Sequence, residues 1–373
     1  MSTVRAATLV APHRLEVRSY PYPDALEPGA VLLRMLASGI CGTDKHTFRG
    51  ETEQYLGTDK ERSTPFPIIQ GHENVGVVAA VGDGGALARD GSPLAEGDRV
   101  VPAPNRACGV CHMCARGFPY YLCRRLENYG NSLTSSAAPH LFGGWSEYLY
   151  LKPGTAVFRV PETLPDDVAV LTEIFAVTHS LERAAQLPSP AGFRPGASVA
   201  VIGVGALGLA HAVKAALMGA GRVIAVDPSR RRLELATRLA GAEAAVADEV
   251  RAMCAGEGVD VVVNATGFPG SFAQAVEMVR DGGLVIEVGA FVDMGDEPFN
   301  PAVLCGRNLT LLGIGGEDLL VYESTLALLA RHHTSIPLAD MVSHRFAVED
   351  APEAMETALD ADRSAKVLIT SAR

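Results

Sequence analysis

Within nine consecutive residues, Ser38 to His46, the chain carries a thiol at Cys41, a hydroxyl at Thr43, a carboxylate at Asp44 and an imidazole at His46. A thiolate is a soft metal ligand, and a hydroxyl followed by an imidazole can pass a proton towards solvent. The same run also reads as an ordinary turn after a strand, so its chemistry depends on partners elsewhere. Gly71-His72-Glu73 offers a second imidazole with a carboxylate, and Glu173 offers another carboxylate. Cys41 and His72 with an oxygen from Glu73 or Glu173 make a mixed sulfur, nitrogen and oxygen set. Such a set leaves one position of a tetrahedral zinc ion for water or substrate, as a catalytic metal requires.

Cys108, Cys111, Cys114 and Cys123 fall within sixteen residues. Four thiolates satisfy a tetrahedral zinc completely and leave no room for substrate, which is the pattern of a structural ion. His112 lies inside the cluster as a bystander. Seven cysteines, an odd number, so grouped and with no export signal at Met1 to Val10, argue for metal ligation in the cytoplasm rather than for a disulfide framework. Cys254 and Cys305 have no such neighbours and read as buried small apolar residues.

A third constellation binds a nucleotide. Val199 to Ile202 is an apolar strand that runs into Gly203-Val204-Gly205-Ala206-Leu207-Gly208. The glycines permit a tight turn and let the backbone approach a pyrophosphate, which then sits on the N-terminus of the following helix. Asp227 follows Gly208 by nineteen residues, at the end of the next strand. A carboxylate there accepts hydrogen bonds from the adenosine ribose and repels a 2′-phosphate, which favours NAD over NADP. Arg230, Arg231 and Arg232 stand close by and temper that preference.

Around these residues two element patterns alternate. Short β-prone runs at 4–9, 15–17, 30–36, 73–81 and 97–101, separated by Gly and Pro, predict a small barrel or sandwich. Residues 50–67 and 127–144 read as long loops that shape a pocket. With their flanks they offer Tyr55, Asp59, Lys60, Asn128, Tyr129, Asn131 and Trp145, a polar mixture suited to a hydroxylated or cyclic substrate. From about residue 171 strands and helices alternate, with strands expected at 198–202, 223–226, 259–264, 284–288 and 309–314. Helices are expected at 207–218, 229–239, 272–279 and 322–332. That is the pattern of a doubly wound parallel sheet. A last strand at 365–369 is free to pair back elsewhere.

The chain's 373 residues suit two domains, and 48% hydrophobic with 20% charged residues is a soluble globular composition. A net charge of −11 opposes binding to nucleic acid or an anionic membrane. The apolar run at 197–213 is broken by four glycines, which suits a strand, turn and helix better than a membrane span.

Together these motifs resemble the zinc-containing medium-chain dehydrogenases/reductases, in the branch of sorbitol, threonine, glucose and alcohol dehydrogenases. Cys41-Gly42-Thr43-Asp44, Gly71-His72-Glu73, Gly97-Asp98-Arg99-Val100, the cysteine cluster, the nucleotide loop and Lys366-Val367-Leu368 stand in the family's order over nearly the whole chain. The resemblance implies an α/β protein with a GroES-like β-rich catalytic domain over residues 1–176 that carries both zinc sites. It further implies a Rossmann domain over 177–316, a segment 317–373 returning to the catalytic domain, and an active site in the cleft between domains. By the same resemblance Cys41 and His72 are ligands of the catalytic zinc, and Glu73 approaches or joins it. Thr43 bonds the substrate hydroxyl, His46 passes the proton to solvent, and Asp44 supports a ligand. Arg232, Thr266 and Val288 join Gly203 to Gly208 and Asp227 at the cofactor. Two zinc ions per chain, NAD and a homodimer or homotetramer are implied.

The sequence departs from the family twice. The cysteine cluster has one more residue before Cys123 than the family pattern. Glu173 stands one position nearer His179 than the polyol-type spacing, which would put Thr172, a poor zinc ligand, in the ligand place. The expected activity is hydride transfer between NAD(H) and a secondary alcohol or its ketone, with a polyol, a sugar-like or a cyclic alcohol as substrate. Other readings are a biosynthetic reductase of an amino-alcohol or aminocyclitol ketone, a non-catalytic zinc- or cofactor-binding protein, and a zinc-independent reductase. The presence of Cys41, His72 and Thr43 opposes the last two.

Overall fold

Strand Val31–Gly39 is the axis of the first unit. It is apolar on both faces apart from Arg34 and Ser38 and buried along nearly its whole length, as a strand covered on both sides must be. It pairs antiparallel with Glu73–Val81, Tyr148–Leu151 and Lys366–Thr370. Arg99–Pro102 and Val157–Arg159 extend one side of the seven-stranded sheet, and Val342–Ala347 closes the other. Thr3–Ala11, Arg14–Pro21 and Ile68–Ile69 make a second, smaller sheet. The computed structural model describes residues 3–371. It divides them into one unit of Met1–Glu173 with Asp318–Arg373, and a second of Ile174–Glu317.

The C-terminal strand does pair back into the first sheet. Gly39 faces Glu73 on one side and Leu368 on the other. That register gathers Cys41, Glu73 and Lys366 at one end of the sheet. The stretch after Gly39, which also reads as a turn, is a helix, Gly42–Arg49. Its propensity is poor, but the Asp44 carboxylate receives the Cys41 N–H at 2.8 Å, and Gly50 closes the last turn with φ 94°.

The second unit is a six-stranded, wholly parallel sheet in the order Glu243–Ala245, Arg222–Val226, Ser198–Ile202, Val259–Asn264, Val279–Glu287 and Thr310–Gly313. Strand order reverses at Ser198–Ile202, the first strand of the unit, because its two partners, Arg222–Val226 and Val259–Asn264, both follow it in the chain and lie on opposite sides of it. Val201, Val261, Val262, Val263 and Ile286 are fully buried, which accounts for the near-continuous apolar runs of parallel strands. No helix among the described residues is long and apolar enough to cross a membrane. Cys305 is exposed and Cys254 half-buried, so neither is the buried apolar residue expected; both lie at helix ends, where helical periodicity says little about burial.

His211 is fully buried behind the nucleotide loop. Its Nδ1 bonds the Leu207 carbonyl and its Nε2 the Ser180 hydroxyl, each at 2.9 Å. Burial, with His179 nearby, brings its pKa from the ordinary 6.5 down to about 4. The unfolded chain takes up this proton first, so stability present above pH 6.5 is lost as pH falls towards 4. The gap in unfolding free energy between wild type and His211→Gln is expected to narrow by about 2–3 kcal/mol between pH 7 and pH 4. Urea unfolding at the two pH values measures it, and a gap independent of pH refutes it.

Candidate functional site

Helix Gly42–Arg49 begins where the central strand ends, so Cys41 is its N-cap and Thr43 and His46 share one face, three residues apart. Glu73 opens the neighbouring strand, and His72 stands immediately before it. Ligand atoms of Cys41, His72 and Glu73 lie within 4.8 Å of one another. Asp44 is wholly buried; its Oδ1 stands 3.7 Å from His72 Nδ1, which makes no hydrogen bond. A buried imidazole nitrogen without a partner beside a thiol and a carboxylate is a donor set that fits a metal cation.

The electrostatics agree. Burial disfavours an imidazolium at His72, yet Asp44 and Cys41 outweigh it and hold the pKa well above its usual value. Lys366 behaves in the same way. Burial is opposed by Glu73, Cys41 and Glu173, and its pKa is raised. The pocket therefore favours positive charge.

Glu73 is not free to turn. Lys366 Nζ donates to both its oxygens, at 2.7 and 2.6 Å, and to the Ile40 carbonyl at 3.0 Å. Both side chains are almost fully buried. A Cβ on residue 39 would lie 1.9 Å from Glu73 Oε2, so only glycine leaves room for this pair. Glu173 is buried and its charge is felt at Lys366, but it does not join the close group of Cys41, His72 and Glu73. Lys366 entered the sequence reading only within the run Lys366-Val367-Leu368 and was given no role at the site. Its signal was a lone cation opening an otherwise apolar strand. Gln70, whose side-chain amide donates to Asp44 Oδ1 at 3.3 Å, and Glu51, in close contact with His46 Nδ1, were also missed.

The four thiol sulfurs of Cys108, Cys111, Cys114 and Cys123 also lie within 4.8 Å of one another. Backbone N–H groups of Cys114 and Arg124 draw the Cys111 thiol down to about 5, while burial lifts Cys123 to about 12. A bound cation is what would make all four thiolates. Tyr55, from the first long loop, packs on this cluster. Lys60 Nζ sits 4.4 Å over the Tyr55 ring and Arg62 covers it too. Asn128 joins Tyr55, Asn105 and Arg62 by hydrogen bonds.

This corrects the expected pocket lining. Asn128, Tyr129, Asn131 and Trp145 are all buried. Trp145 donates to the Gly39 carbonyl at 3.3 Å, and Tyr129 is bonded to Thr155. The side-chain polar groups of Asn128, Tyr129 and Trp145 are engaged inside the fold rather than offered to a substrate, while Asn131 Oδ1 is buried without a partner.

In the second unit the nucleotide loop has its expected shape. Gly203 has φ 79°, and a Cβ on Gly208 would meet the Gly203 carbonyl at 2.0 Å. Val204 is fully buried, while Gly205, Ala206 and Leu207 carry the chain into helix Ala206–Leu217. Thr266 lies against Gly203 and against Gly289, next to Val288. The Asp227 carboxylate accepts the Ser229 N–H at 2.8 Å and stands 3.6 Å from Arg232, whose buried Nε has no partner.

Residues 27–162 match the alcohol dehydrogenase GroES-like domain family, and residues 195–331 match the zinc-binding dehydrogenase family. The chain is 34% identical to a probable alcohol dehydrogenase of Mycobacterium tuberculosis, over 95% of this chain and 94% of that one. It is 29% identical to the 5-exo-hydroxycamphor dehydrogenase of Pseudomonas putida, over 95% of this chain and 96% of that one. An alcohol dehydrogenase of Thermotoga maritima, solved as a crystal structure, is similar with a TM-score of 0.86 and 28% identity, over 100% of both chains.

Proposed function

As a member of the zinc-containing medium-chain dehydrogenase/reductase family this chain is a zinc-dependent alcohol dehydrogenase, and we propose that it oxidises a secondary, cyclic alcohol to its ketone with NAD. The observation that carries the reading is the orphaned His72 nitrogen beside Cys41 and Glu73 in a pocket that favours a cation. We take Cys41, His72 and one glutamate as the protein ligands of a catalytic zinc. Glu73 is the glutamate in position, and Glu173 is the alternative. Cys108, Cys111, Cys114 and Cys123 hold a second, structural zinc.

Bound in that position, zinc supplies a Lewis acid for the substrate oxygen. The nicotinamide supplies the hydride acceptor. The chain's own residues do the rest. Thr43 takes the substrate hydroxyl's hydrogen bond, and His46, partly exposed and held by Glu51, passes the proton to solvent, a task suited to an imidazole. Asp44 holds the Cys41 N–H and faces His72, which fixes the ligand segment. Gly203 to Gly208 take the pyrophosphate and Asp227 the adenosine ribose. Arg232 beside Asp227 leaves the preference for NAD over NADP modest.

A cyclic secondary alcohol is favoured over a polyol because Asn128, Tyr129 and Trp145 are buried and bonded within the fold, and because a relative of similar length is named for hydroxycamphor. The test is a panel of cyclic secondary alcohols and polyols with NAD and NADP, read by nicotinamide absorbance, alongside metal analysis. Turnover of cyclic alcohols with NAD and two zinc ions per chain is expected. Polyols as the sole substrates, or one zinc held by the cysteine cluster alone, would overturn the reading.

A further inference from the structure

Glu287 is a carboxylate that neither metal cluster nor the glycine loop uses. It ends strand Val279–Glu287 beside its register partner Asn264, the last residue of the neighbouring strand. Its Oε1 accepts the backbone N–H groups of Gly289 at 2.9 Å and Ala290 at 3.0 Å. Its Oε2 accepts the Asn264 side-chain amide at 2.6 Å, and that amide also reaches the Ser271 hydroxyl at 3.0 Å. Asn264 Oδ1 is buried and has no partner. Three N–H donors thus hold the carboxylate in place.

Its position in the sheet gives this carboxylate a task. Parallel sheets bind dinucleotides along the carboxyl ends of their strands, astride the point where strand order reverses. Here that point lies between Ser198–Ile202 and Val259–Asn264. Asp227 and Arg232 stand on the Arg222–Val226 side and take the adenosine half. A bound dinucleotide would then lay its nicotinamide half over the ends of Val259–Asn264 and Val279–Glu287, where Thr266, Val288 and Glu287 stand. The oxidised nicotinamide ring carries a positive charge and the reduced ring does not.

We propose that Glu287 is a specificity-determining residue for the redox state of the cofactor, its fixed negative charge favouring the oxidised over the reduced dinucleotide. The proposal rests on the dinucleotide reading given above and concerns a residue no motif includes. An enzyme so built holds the cofactor form needed for alcohol oxidation and releases the reduced form more readily.

The test is the dissociation constant of NAD⁺, by calorimetry, and of NADH, by nicotinamide fluorescence, for the full-length wild type and Glu287→Gln. Glutamine keeps an oxygen for the Gly289 and Ala290 N–H groups, and a flip of the Asn264 amide turns its idle Oδ1 towards the glutamine amide as acceptor, so the loop is preserved. The dissociation constant for NAD⁺ is expected to rise about 3- to 10-fold, with that for NADH changing less than about two-fold. An equal loss for both forms marks a purely structural role and overturns the proposal, as does no change in either. If wild type binds neither NAD⁺ nor NADH, nor the NADP pair titrated in parallel, the cofactor reading itself falls and takes the proposal with it.

Discussion

His72→Ala is expected to lower alcohol oxidation by about three orders of magnitude or more, with the catalytic metal lost and the fold retained. Removing one of the proposed ligands from a mixed site would take away the Lewis acid. Several kcal/mol of transition-state stabilisation converts to a loss of that size. Metal analysis should fall from two zinc ions to one, since the cysteine cluster lies in a separate loop. His46→Gln serves as the graded control. It leaves both ions bound and lowers turnover by about ten-fold at neutral pH, with recovery in alkaline buffer where solvent accepts the proton. Full activity in His72→Ala would remove the site from the mechanism. An unchanged His46→Gln would remove the relay. Glu73→Gln and Glu173→Gln, compared for zinc retention, decide which glutamate is the ligand.

Lys366→Met is expected to destabilise the first unit by about 3–5 kcal/mol, because it leaves Glu73 as a buried, uncompensated anion. Both side chains of the pair are almost fully enclosed, 3% and 1% exposed, so solvent does not screen the loss. The apparent melting temperature should drop by about 10 °C. The double variant Lys366→Met with Glu73→Gln should recover most of it, since removing both charges costs far less than stranding one. Thermal and urea unfolding of the three metal-free proteins measures this. A Lys366→Met loss below about 1 kcal/mol, or no recovery in the double variant, rejects the pair as a stabilising contact.

Local signals proved the readable ones. The cysteine spacing, the glycine loop with Asp227 nineteen residues on and the alternation of strands and helices each lie within a short stretch of chain, and the structure forms the thiol cluster, the turn and the parallel sheet there. Helix Gly42–Arg49 was hidden because its stability comes from a cap and a closing glycine rather than from helix-forming residues. Burial within the long loops was invisible for another reason. Tyr129 and Trp145 sit in irregular backbone, and Asn128 in a strand of only two residues, Glu127–Asn128, where no period of two or 3.6 marks an inward face. The Lys366–Glu73 pair joins residues 293 positions apart, and only the strand register discloses it.

That register has a consequence for synthesis. Val31–Gly39 and Glu73–Val81 leave the ribosome early, but Lys366–Thr370, which completes their sheet beside Gly39, follows only after the whole of Ile174–Glu317. The parallel-sheet unit is contiguous and able to fold as it emerges. Until Lys366 arrives, Glu73 stands beside Cys41 and His72 without its counter-ion, in a half-built sheet with an open edge. The pocket of Cys41, His72 and Glu73 in the nascent chain is therefore more anionic than that of the finished one, and its final charge balance is set by a strand made after the whole parallel-sheet unit.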